Sequence, residues 1–114
     1  MANKVITTPY FENKYKRLSK NFVSLSSELE VLENILLQNP EQGEPLGANL
    51  YKIRLASKDK GKSKSGGFRI ITYLVQEQKL YFEIYLITIY DKSEESTILS
   101  SSLKKLVKII FGEE

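Results

Sequence analysis

The spacing of apolar positions changes several times along the chain, and each change marks a predicted element. Val5-Ile6-Thr7-Thr8 is a short β-branched run that predicts an edge strand. Thr8 and Pro9 then suit the cap and first residue of a helix. Phe11, Tyr15, Leu18 and Phe22 form a stripe at helical spacing. Phe22, Leu25, Leu29, Leu32 and Leu36 continue as the face of a second helix, with Glu28, Glu30 and Glu33 largely off it. Asn39-Pro40 ends this helix, because the residue before a proline disfavours helical geometry. The two helices read as a packed hairpin.

Residues 40–49 carry two prolines and two glycines and read as a turn-rich connector. From Leu50 to Ala56 the period becomes two: Tyr51, Ile53 and Leu55 share one face, Lys52 and Arg54 the other. Residues 57–67 form a Lys/Ser/Gly loop. Phe68–Val75 and Leu80–Tyr90 are β-prone runs joined by Gln76-Glu77-Gln78-Lys79, which predicts a hairpin. Both runs are apolar on both faces and so belong in the middle of a sheet. Ser93 followed by Glu94 and Glu95 signals the start of a last helix. Leu99, Leu103, Leu106 and Ile110 make its core stripe, Lys104, Lys105 and Lys108 lie toward its end, and Gly112 stops it. The predicted order is β-α-α-β-β-β-α. This is an α+β fold: a small, mainly antiparallel sheet with the helical hairpin on one face and a C-terminal helix.

Composition narrows the chemistry. A chain of 114 residues is expected to form one domain, residues 1–114. It has no cysteine, so disulfides, thiolate metal sites and cysteine nucleophiles are excluded. It has no histidine either, which excludes serine–histidine catalysis and histidine-paired ribonuclease chemistry. A zinc site would need carboxylates alone, a poor match to that ion. No metal and no cofactor are therefore expected. No segment reaches the roughly 20 apolar residues of a membrane span, and the N-terminus lacks a signal peptide's apolar stretch, so a cytoplasmic protein is expected.

The net charge of +3 conceals an uneven distribution. Residues 50–70 hold Lys52, Arg54, Lys58, Lys60, Lys62, Lys64 and Arg69 against Asp59 alone. This basic middle sits in a mildly acidic body, a pattern suited to a phosphate-rich partner. A solvated basic loop fits the same run. Gly61-Lys62-Ser63 does not complete a nucleotide-binding loop, because the glycine required five residues earlier is replaced by Ala56. The loop lysines 58, 60, 62 and 64 are read instead as an RNA-binding arm.

Sheet pairing would bring Arg69 near Arg54, with Lys52 on the same face. It would also set Tyr90, Asp91 and Lys92, at the end of the last strand, beside the start of its neighbour. Such a groove has the means to cut RNA without a metal. The ribose 2′-hydroxyl attacks the adjacent phosphate, and arginine forks hold the phosphoryl oxygens as negative charge grows. Proton transfer needs a lysine or tyrosine set among positive charges, which favour the deprotonated lysine or phenolate form. Lys52, next but one to Arg54, is placed for that. The same residues also suit plain binding of an anionic ligand. Tyr90 also fits as a packing residue, and Asp91 and Glu94 as turn and cap residues.

Leu50-Tyr51-Lys52-Ile53-Arg54-Leu55-Ala56, the Gly-Lys-Ser-rich loop, and Ser65-Gly66-Gly67-Phe68-Arg69-Ile70-Ile71-Thr72-Tyr73 together resemble the RelE/HigB superfamily of type II toxins. Leu86-Ile87-Thr88-Ile89-Tyr90-Asp91-Lys92-Ser93-Glu94 and the loop from Asn39-Pro40 to Gly47 are similar to segments of the same family. The resemblance spans residues 4–110 and implies a RelE-like fold. It implies the toxin of a toxin–antitoxin pair: an endoribonuclease that cleaves mRNA, largely on the ribosome, and is blocked by a cognate antitoxin. By the same resemblance, Lys52, Arg54 and Arg69 would bind and activate the scissile phosphate, with Lys92 matching a further basic position. The best-known members carry a tyrosine after the last strand. This chain has none beyond Tyr90, and the corresponding region holds Ile98 and its neighbours, so either Tyr90 substitutes, or a lysine is the base, or catalysis is weak. The alternative is a non-catalytic RNA- or protein-binding module on the same fold.

Overall fold

In the computed structural model, which describes residues 2–58, 67–92 and 100–112, the chain forms a five-stranded sheet with helices on both faces. The elements are β1 (Lys4–Thr7), α1 (Pro9–Asn21), α2 (Leu25–Gln38), β2 (Glu44–Gly47), β3 (Leu50–Leu55), β4 (Phe68–Glu77), β5 (Tyr81–Asp91) and α3 (Ser100–Phe111). The strand order is β1-β5-β4-β3-β2. The expected α+β fold with its mainly antiparallel sheet is therefore observed. β4 and β5, apolar on both faces, lie inside the sheet.

Three features differ from the expected order. Residues 40–49 are not only a connector, because β2 adds a strand that pairs antiparallel with β3, Glu44 opposite Lys52. Gly43, at φ +101°, brings the chain so close that a Cβ there would lie 2.5 Å from the Lys52 carbonyl oxygen. Pro45 is tolerated because β2 is an edge strand and needs no donor on its outer side. Ala48 and Asn49, both at positive φ, close the tight hairpin turn that follows. Second, β1 pairs parallel to β5, Thr7 opposite Leu86. This is the one parallel ladder in the described sheet, reached by long-range pairing rather than by a hairpin. Third, Phe22 lies in the interhelical turn, and α2 starts at Leu25. The Ser93-Glu94-Glu95 helix start falls outside the described residues.

The sheet separates two cores. On one face, Phe11 and Leu18 of α1 and Leu25, Leu29, Leu32 and Leu36 of α2 pack on Ile53, Phe68, Ile70, Leu74, Ile84, Leu86 and Ile89. On the other, Leu103 and Val107 of α3 pack on Leu50, Ile71, Ile87 and Tyr90. Alternation along β3 and β4 generates both sets, since successive side chains point to opposite faces. The β4–β5 ladder slips by one residue after Ile71, so Ile87 is an extra residue on β5.

Thr8 ties the hairpin to the sheet. Its buried hydroxyl accepts the Phe11 N–H as the α1 cap at 3.2 Å and donates to the Leu86 carbonyl at 2.9 Å. Asn3 makes a similar link: its amide donates to the Leu37 carbonyl, and its side-chain oxygen accepts the Phe82 N–H, both at 2.9 Å. Substitution of Thr8 by valine keeps the shape and removes every bond of the hydroxyl. Thr8→Val is expected to lower stability by about 1–2 kcal/mol, the usual range for losing a cap. Urea denaturation measures this; an unchanged midpoint would remove Thr8 as the link.

Glu33, on α2 beside Tyr15 of α1, has its carboxyl pushed above the usual range by desolvation and then by the nearby Glu30 charge. Tyr15 is raised in turn by burial and by Glu33. A raised carboxyl favours the folded state only while it is protonated. This contribution is complete below the ordinary glutamate range and lost as pH rises through the folded value. Glu33→Gln is thus expected to melt higher than the parent at neutral pH, with the difference closing as pH falls below about 4. Thermal melts at a series of pH values test it, and a constant difference at all pH values would refute it.

Candidate functional site

The register of the three central strands decides which of the basic residues meet. Arg54 on β3 lies opposite Arg69 on β4, and Arg69 lies opposite Tyr90 on β5. The three form one row across the sheet, on the α3 face. Lys52 lies two residues along β3 on the same face, opposite Ile71. Asp91 pairs with Phe68 at the row's end, and the Lys92 N–H donates to the Gly67 carbonyl at 3.1 Å. Lys52, Arg54, Arg69, Tyr90 and Lys92, separated by up to 40 positions in sequence, are thus gathered at one end of the sheet.

Their exposure differs sharply. Arg54 is exposed and Lys52 and Lys92 are half-buried, whereas Arg69 and Tyr90 retain only 5% and 2% of their surface. The row therefore runs from solvent at Arg54 into the core beneath α3, where Tyr90 packs with Leu103 and Val107. Arg69 donates from Nη1 to the Phe68 carbonyl at 3.3 Å, which helps to hold its guanidinium in place. Two arginines directly opposite on one face are a like-charge pair, an arrangement that is unfavourable by itself. An anion seated between them reverses the sign of that interaction.

Lys52 has a partner that the sequence did not reveal. Its Nζ lies 3.7 Å from Glu44 Oε1 on β2, and the pair borders a groove of about 260 Å³ shared with Gln42, Gly43 and Arg54. Only the pairing of β2 with β3 brings Glu44 there. At this distance, and with Glu44 mostly exposed, the ion pair is of little stabilising value. It leaves Arg54 as the more exposed cation at the mouth of the row.

Of the arm lysines, Lys58 is exposed at its base, while Lys60, Lys62 and Lys64 lie outside the described residues. The base of the arm is fixed to the helical hairpin. The Lys58 N–H donates to Glu28 Oε2 at 2.8 Å, and the Ser24 and Ser57 hydroxyls lie 3.3 Å apart. Glu28 is a residue that sequence reasoning assigned only to the polar side of a helix. Among the described residues, no three carboxylates converge as metal ligands.

Gly67 completes the local frame. At φ +82°, with a notional Cβ only 2.7 Å from the Leu55 carbonyl oxygen, it admits no larger residue without moving β3 from β4. Its own carbonyl receives Lys92. Gly67→Ala is expected to cost about 1–3 kcal/mol and to disturb the Arg54–Arg69 pairing. Chemical denaturation with amide spectra of β3 and β4 tests this, and an unperturbed variant would show that the close approach is not a constraint.

No model of a known protein family matches the chain. Its fold is similar to a solved structure of E. coli toxin RelE in the free state, a form with two arginines changed to alanine. The TM-score is 0.58 and the identity 18%, with 96% of this chain and 99% of that one covered. The chain has a RelE-like fold, and at this level of identity the likeness extends to the fold alone.

Proposed function

We propose that this chain is the toxin of a toxin–antitoxin pair, a metal-independent endoribonuclease acting on mRNA in the cytoplasm, with the ribosome as the setting and a cognate antitoxin as its inhibitor. The observation that carries the reading is the cross-strand row of Arg54, Arg69 and Tyr90, with Lys52 beside it, on a RelE-like fold. Arg54 at the mouth and Arg69 beneath it give a phosphate two guanidinium forks of different depth. Arginine suits this role because its planar donors match two phosphoryl oxygens at once.

The reaction follows from that seat. The ribose 2′-oxygen attacks phosphorus as the bond to the 5′-oxygen breaks, leaving a cyclic phosphate and a free 5′-hydroxyl. The 2′-proton passes to a base, and the departing 5′-oxygen takes a proton from an acid. Lys52, Tyr90 and Lys92 are the proton carriers this site offers. The arginines stabilise the charge that accumulates on the phosphoryl oxygens, the usual source of the largest catalytic term. DNA lacks the attacking hydroxyl, so the chemistry itself selects RNA. The arm lysines at 58, 60, 62 and 64 extend the positive field along the bound strand.

One observation favours a second reading. Tyr90 is buried under α3, as a packing residue would be, and in that case the face binds RNA or a protein without cutting. Controlled expression in bacteria separates the two. Growth arrest with fragmented message is expected for the parent chain; intact message after induction would overturn the ribonuclease reading. Arg54→Ala is expected to reduce cleavage about 100-fold or more at an unchanged melting temperature, because this side chain is exposed. Arg69→Ala is less clean, since truncating a buried arginine also leaves a gap. Tyr90→Phe keeps the packing, and full activity in that variant would assign the proton transfer to a lysine.

A further inference from the structure

The α3 face holds a second concavity, away from the arginine row. It measures about 250 Å³ and is lined by Ala48, Leu50, Tyr73, Lys104, Val107 and Lys108. Leu50 and Tyr73 form a cross-strand pair, so the floor is one row of the sheet. Val107 is buried at the wall. Phe111 lies 5.3 Å from the Tyr73 ring and backs it. Lys104 and Lys108, four apart on α3, stand on the same side of that helix and are both exposed. Among the described residues no carboxylate lines the cavity, and the α3 segment Ser100–Phe111 contains no acidic residue.

A largely apolar floor that includes an aromatic ring, flanked by two cations, suits a planar base between phosphates. Stacking on an aromatic ring accepts any base, and lysines neutralise the backbone on either side. The cavity lies on the same face of the sheet as the row. Leu50, Lys52 and Arg54 alternate along β3 on this face, so Leu50 is about 13 Å from Arg54 at strand spacing.

We propose that this cavity seats an unpaired base of single-stranded RNA, with the flanking phosphates on Lys104 and Lys108, as a docking subsite beside the cleavage row. The proposal rests on the reading of this face as an RNA site. It assigns a role to α3 lysines that the cleavage chemistry leaves unused.

The test measures binding apart from cleavage. The full chain is titrated against a fluorescent 2′-O-methylated oligouridylate, which lacks the attacking hydroxyl, over a range of salt concentrations. The double variant Lys104→Gln with Lys108→Gln is expected to bind about tenfold more weakly. Its log-affinity against log-salt slope should be shallower by about 1.4, the loss of two single-strand phosphate contacts. Tyr73→Leu should weaken binding about fivefold or more with the slope unchanged. Both lysines are exposed, and a matching melting temperature confirms that the variant is folded.

Unchanged affinity and slope in the lysine variant, with binding weakened by Arg54→Gln, would overturn the subsite and leave the RNA-site reading in place. A parent chain that binds no oligonucleotide would overturn the subsite, whereas intact message after induction would overturn the RNA-site reading itself. If the lysine variant keeps RNA binding but loses binding to polyglutamate, the cavity is a protein-docking site and the proposal fails.

Discussion

Burial of β4 and β5 on both faces is the constraint from which the rest of the molecule follows. Phe68, Ile70 and Leu74 supply one core, and Ile71 helps to supply the other. A slip of one residue would exchange the two sets and expose each core to the wrong helices, so the register is strongly specified. Arg69 is the only charged residue in the run from Phe68 to Val75. The register that satisfies the cores therefore also sets this guanidinium opposite Arg54 and Tyr90. The candidate site is a consequence of the packing.

The helices divide their work by face. α1 and α2 cover one side, held by Thr8, by Asn3 and by the Glu28 contact to the base of the basic arm. α3 covers the other side and meets it through Leu103, Val107 and the aromatic group of Tyr73, Tyr85 and Phe111. The Tyr85 hydroxyl lies beside Glu83, and its ionisation is pushed up by burial and by that hydrogen bond, so this phenol is kept as a donor. The same arrangement gives the face its gradient, from exposed Arg54 to buried Tyr90.

Much of this was legible in the residues. The helical stripes, the Thr8-Pro9 start, the two-faced strands and the alternation of Lys52 and Arg54 all report local periodicity or capping, which the sequence carries directly. β2 was not legible, because Pro45 and three glycines or turn formers around it suppress any strand pattern. Its pairing depends on Gly43 approaching the Lys52 backbone, and the Lys52–Glu44 ion pair was hidden with it. The parallel β1–β5 ladder was hidden for a related reason: its partners lie about 80 positions apart and share no turn.

The amino-acid sequence by itself determined which chemistry is possible. With neither histidine nor cysteine, it confined acid–base work near neutral pH to lysine, tyrosine, carboxylates or solvent. It also determined the helices and the strands other than β2, since periodicity is local. Only the tertiary structure decided depth and company. Arg54 and Arg69 read as similar cations in the chain, yet one faces solvent and the other is 5% exposed. The physical reason is that burial belongs to the whole sheet and the helix laid across it, and no single segment encodes it.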